Sequence, residues 1–114
     1  MPSDPAHLKS GRRDPGSLLA SQIEVLAGDG ASVTLKRERP WASITFAGTR
    51  HRLAVNWDSE TDPAAVKNLA EALPYHEFSI AGHFVADILV TEQTQNQMLV
   101  EALSIIDPIE NCDD

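Results

Sequence analysis

Along much of the chain apolar and polar residues exchange at every second position, the period of a strand with one covered face. Between Trp41 and Trp57, Ile44 and Phe46 alternate with Ser43 and Thr45. Further on, Leu53, Val55 and Trp57 share parity with His51, whereas Arg50 and Arg52 point the other way with Ala54 and Asn56. The pattern predicts two short strands, Ala42 to Ala47 and Arg50 to Asn56, folded about Gly48. Arg39-Pro40 is expected to break the ladder before them, because proline has no N–H to donate.

Upstream, Ile23 to Ala27 and Ala31 to Glu38 flank Gly28-Asp29-Gly30, a connector that predicts a hairpin with Val33 and Leu35 on one face and Thr34 and Lys36 on the other. The competing pattern is a helix from Ser17 to Ala27, with Leu19, Ile23 and Leu26 at helical spacing and Gly28 as terminator. The hairpin is preferred from Ile23 onward.

Downstream the period changes to that of a helix. Asp62 caps it, Pro63 fills its first turn, Val66, Leu69, Ala70 and Leu73 form its apolar stripe, and Pro74 ends it. His83 to Thr91 returns to strand character, with Phe84, Ala86, Ile88 and Val90 on one face and Val85 and Leu89 making the other face apolar too. Met98 to Ile106 fits a returning strand, favoured by the β-branched Val100, Ile105 and Ile106, or a helix opened by Thr94 and Gln97 and stopped by Pro108. The expected fold is α+β: an antiparallel sheet of five or six strands, one helix (63–73) packed on one face, and a C-terminal helix as the alternative for the last segment.

At 114 residues the chain holds one domain, expected over 17–108, between a mobile N-terminal tail (1–16) and an acidic C-terminal tail (109–114). No apolar run reaches the length of a membrane span and the N-terminus has no apolar secretion core, so a cytoplasmic location is expected. The one cysteine, Cys112, lies among acids that disfavour a thiolate. A net charge of −8 disfavours nucleic-acid binding, yet it is unevenly spread: from Ala31 to Trp57, Lys36, Arg37, Arg39, Arg50 and Arg52 face Glu38 alone.

The pattern Trp41-Ala42-Ser43, Thr45-Phe46, Gly48, Arg50-His51, with Gly82-His83 and Val85-Ala86-Asp87, resembles small uncharacterised proteins of alphaproteobacterial type. The resemblance implies a bacterial setting and no particular chemistry.

Two groups of residues carry candidate chemistry. Arg50 and Arg52 share a strand face, and the adjacent Lys36, Arg37 and Arg39 extend it if the strands form a meander; arginine forks bind carboxylates and phosphates bidentately, which points to an anionic small ligand or an acidic protein surface. The second group is His83, Asp87 and Glu101. If Val90 pairs with Val100, Glu101 lies diagonal to Asp87 and His83 opposes Asp107, an arrangement suited to acid–base work or cation binding. A single metal held by His83 and Asp87 is not expected, since four residues of strand span about 13 Å. Phosphate-binding glycine loops, CxxC pairs and the GxSxG elbow are absent, and no cofactor is implied. The leading expectation is a small binding or regulatory domain; a small enzyme using the second group is the alternative, and weak nucleic-acid binding the third. A sheet covered by one helix leaves an apolar face, which a homodimer would hide.

Overall fold

The computed structural model describes residues 14–107. The expected N-terminal tail lies mostly outside them, and the acidic tail with Cys112 wholly so. In chain order the elements are α1 (Pro15–Ala27), β1 (Ala31–Ala42), β2 (Ala47–Trp57), α2 (Pro63–Ala72) with a 3-10 turn (Leu73–Tyr75), β3 (His83–Gln93) and β4 (Gln97–Ile106). The strands form one antiparallel sheet in the order β1-β2-β4-β3. The architecture is α+β, but with four strands and two helices in place of five or six strands and one secure helix.

Two local decisions account for the difference. The segment read as the first arm of a hairpin is α1: Asp14 and Pro15 start it, Leu19, Ile23 and Ala27 recur every fourth residue on its buried side, and Gly28 ends it at φ 89°, a conformation glycine adopts without steric cost. Gly28-Asp29-Gly30 thus joins a helix to β1 rather than two strands.

Pro40 does not break the ladder. It pairs opposite Thr49 on β1, which is an edge strand, where a missing N–H is tolerated. The turn therefore falls at 43–46, closed by the Ser43 N–H donating to the Phe46 carbonyl (2.8 Å), and Ile44 stands fully exposed at its tip. Gly48 lies inside β2. A Cβ there would collide with the Ser104 carbonyl oxygen and sit 3.0 Å from the Ile105 Cα, so glycine is what lets β4 approach.

The last segment is the strand. Met98, Val100 and Ala102 on β4 align with Val55, Leu53 and His51 on β2, and turn inward with Ile88 of β3. Helix α2 is close to expectation: Asp62 Oδ1 accepts from the Ala64 N–H at 3.0 Å, and Val66, Leu69 and, in the following turn, Leu73 are buried.

Both helices contribute to one hydrophobic core with the inward residues of the sheet, among them Leu19, Ile23, Leu53, Val55, Val66, Leu69, Met98 and Val100. The Trp57 indole N–H reaches the Ala27 carbonyl at 3.4 Å, and Gln22 exchanges two hydrogen bonds with the Ser79 backbone, which fixes α1 across the sheet. Among the described residues no helix covers the opposite face of the sheet.

Gly48→Ala is expected to lower unfolding free energy by at least about 2 kcal/mol, since the obstructing atoms are backbone. Urea denaturation followed by tryptophan fluorescence measures this; a loss under about 0.5 kcal/mol would mean that β4 shifts to make room.

Candidate functional site

Strand β1 carries one residue too many for β2. Leu35 pairs with Leu53 and Arg37 with Arg52, leaving Lys36 as the bulged residue. The bulge reverses the alternation. Arg37 and Arg39 join Arg50 and Arg52 on the open face, while Glu38 turns to the helix side opposite His51. Regular pairing would have put Lys36 and Glu38 outward.

Arg37 stands directly opposite Arg52, and Arg39 opposite Arg50. The four guanidinium-bearing residues, with Glu101 from β4, line a pocket of about 130 Å³. Glu101 takes one of them: its Oε2 accepts from Arg52 Nη2 at 2.7 Å and from Nε at 3.2 Å. Arg37, Arg39 and Arg50 make no ion pair among the described residues. Like charges directly opposite in a sheet repel, by about 0.7 kcal/mol per pair at roughly 6 Å in water and more where solvent is thinner. One carboxylate cannot neutralise four cations, so the pocket keeps a positive field and several unused donor forks.

Of the basic residues expected to act together, the structure brings Arg37, Arg39, Arg50 and Arg52 around one pocket, and Lys36 is not among its lining residues. The second expected group is not brought together. Val90 does pair with Val100, and Asp87 and Glu101 do share the open face, but a bulge at Ala86 shifts the register so that His83 opposes Ile106 instead of Asp107. It also turns His83 to the side of Val85 and Ile88, away from Asp87. The His83 Nδ1–H donates to the Ala81 carbonyl at 3.0 Å. Asp87 is exposed and unpartnered among the described residues, so burial does not force a partner on it. No three histidine, cysteine or acidic side chains cluster to hold a metal among the described residues.

A different constellation lies under the helices. His51 is 1% exposed; its Nδ1–H donates to Glu38 Oε2 at 2.7 Å, and the Ser104 hydroxyl donates to Nε2 at 2.8 Å. The carboxylate, acceptor only when ionised, selects this tautomer. The first turn of α1, at Gly16, closes over Glu38. The order of groups is that of a nucleophile, base and orienting acid, but Ser104 is 0% exposed and no substrate carbonyl reaches its Oγ in this conformation. Its effect is to tie β1, β2 and β4 by polar contacts inside an apolar layer. Parity alone placed His51 on the packed side; its two partners depended on the Lys36 bulge and on the β2–β4 register, which no local pattern encodes.

No family model, no curated protein and no solved structure matches the chain. Among the described residues no helix is long and apolar enough to cross a membrane.

His51→Ala leaves Glu38 and Ser104 without their partner and should destabilise the fold by about 2 to 4 kcal/mol, with Ser104→Ala costing about 1 kcal/mol. Urea midpoints decide this, and equal, negligible losses would show that the chain of hydrogen bonds contributes little.

Proposed function

We propose that this is a non-catalytic binding domain whose working surface is the arginine pocket on the open sheet face, and that the pocket receives a compact anionic group, a phosphate or a carboxylate. One observation carries the reading: Arg37, Arg39, Arg50 and Arg52 stand in two opposed pairs around a common pocket with Glu101 as the one acid in its lining. Such an arrangement lowers the stability of the empty sheet, and an anion between the guanidinium groups converts the repulsion into bidentate charge-assisted hydrogen bonds.

The charge layout favours a compact group over a long polyanion. The basic residues occupy two adjacent strands rather than a track, and the net charge of −8 opposes the approach of nucleic acid. Glu101 holds Arg52 in place and sets a limit on how much negative charge the pocket takes. Trp41 follows Arg39 on the same face, opposite Gly48, and supplies an apolar wall at the end of the row.

Titration with inorganic pyrophosphate, followed by calorimetry or by arginine side-chain NMR signals, tests the reading. Binding should weaken with rising salt, and the Arg39→Ala, Arg50→Ala double variant should lose at least about tenfold in affinity, the loss of one or two charge-assisted contacts. Binding changed less than about twofold in that variant, or absent from the unmodified protein at millimolar pyrophosphate, would overturn it.

A further inference from the structure

The open face has an internal symmetry of charge and shape. Rows of residues cross it from β1 to β3. One row is Arg39, Arg50, Leu103 and Asp87; the next is Arg37, Arg52, Glu101 and Leu89. To either side lie the row Trp41, Gly48, Ile105 and Phe84 and the row Thr34, Ala54, Leu99 and Glu92. The β1–β2 half is basic, the β4–β3 half holds Asp87, Glu92 and Glu101, and apolar side chains run between them.

We propose that the open face is an interface between two copies of this chain, related by a two-fold axis that lies in the interface and runs parallel to the strands between β2 and β4. It rests on the reading of this face as an anion-receiving surface, and it names the partner: a second copy, whose carboxylates supply the anions. A half-turn about that axis keeps every row at its own height and exchanges its ends. Arg39 then faces the second copy's Asp87, Arg52 faces its Glu101, Arg37 its Leu89, Arg50 its Leu103, Ala54 its Leu99, and Trp41 its Phe84. The interface is isologous and closes at two copies. The other in-plane axis, across the strands, would set arginine on arginine.

Size and exposure agree with this. Strands about 4.8 Å apart and rising about 3.3 Å per residue make a four-stranded face on the order of 600 Å², near the lower end of stable protein interfaces. The exposed apolar area lies toward β3, where Phe84 and Leu89 are each 40% exposed and Phe46 meets Phe84 edge to face with centroids 6.2 Å apart, while Leu103, Ile105 and Ala54 nearer the axis are already covered within the chain. The sheet edges are poorer sites for association. β1 carries the Lys36 bulge and Pro40, and β3 carries bulges at Ala86 and Thr91, devices that discourage strand addition.

Asp87 and Arg39 occupy opposite edge strands of one sheet, about 14 Å apart, so they meet only between copies. A charge exchange therefore tests the geometry. Light scattering and sedimentation of the 114-residue chain should show twice the chain mass at about 100 µM. Arg39→Glu and Asp87→Arg should each raise the dimer dissociation constant at least about tenfold, and the two together should restore it to within about threefold. Both residues are exposed, and thermal melts verify folding. A monomer at about 500 µM, a higher oligomer, or a double variant no better than either single one would overturn the assignment of the second copy. Pyrophosphate titration of Asp87→Arg separates the two ideas: this residue is outside the arginine pocket, so binding by the variant with an unchanged oligomer defeats the interface alone, whereas no binding by the variant as a monomer, with the pocket uncovered, defeats the pocket.

Discussion

The arrangement of both faces depends on one extra residue in β1. Strand alternation is strict, and without an insertion every side chain beyond Leu35 would face the opposite way. With Lys36 bulged out of the ladder, Glu38 reaches His51 beneath the helices, and Arg37 and Arg39 join the arginines of β2 on the open face. A second bulge at Ala86 does the same for β3: it keeps Val85 and Ile88 inward while presenting Phe84, Asp87 and Leu89 outward. A feature that looks like an irregularity in pairing thus builds a buried polar chain and an exposed charged surface with a single backbone adjustment each.

Those bulges also explain what was legible in the sequence. The chain pattern showed the helix at 63–73, the strand character of β3 and β4, the parity of His51 with Leu53 and Val55, and a basic cluster near β1 and β2. It misassigned the ends of elements where a local signal has two meanings. Gly28-Asp29-Gly30 suits a hairpin and also a helix terminus followed by a turn; the four-residue recurrence of Leu19, Ile23 and Ala27 decides for the helix once a sheet is there to bury it. Pro40 ends a strand in the middle of a sheet but not at its edge, and edge position is a property of the finished topology. Gly48 looked like a turn residue, whereas its requirement is set by the Ser104 carbonyl of a strand more than fifty residues away.

The two candidate sites differ for the same reason. Arg50 and Arg52 share a face by simple alternation, so their neighbourhood was readable from spacing. His83, Asp87 and Glu101 needed an unbroken register across β3 and β4, and one bulged alanine removes the histidine from the set. Lys36 and Arg37 exchanged roles at the other bulge. Sequence periodicity thus locates chemistry within one strand, and bulges decide which residues from neighbouring strands meet it.

The division of labour between the faces has an energetic consequence. The helix side contains the packed core and the buried Glu38–His51–Ser104 chain, so its residues are constrained by volume and by hydrogen-bond satisfaction. The arginines are solvated by contrast, and their mutual repulsion remains small because water screens it. A sheet built this way tolerates an unbalanced charge cluster on its open side without weakening its core. When that side is covered, screening falls, and the same four charges become strongly unfavourable unless carboxylates or phosphates arrive with the covering surface. On the proposed reading of this face as a binding surface, a covering partner gains from each carboxylate or phosphate it brings to the arginines and loses where it sets only apolar side chains over them.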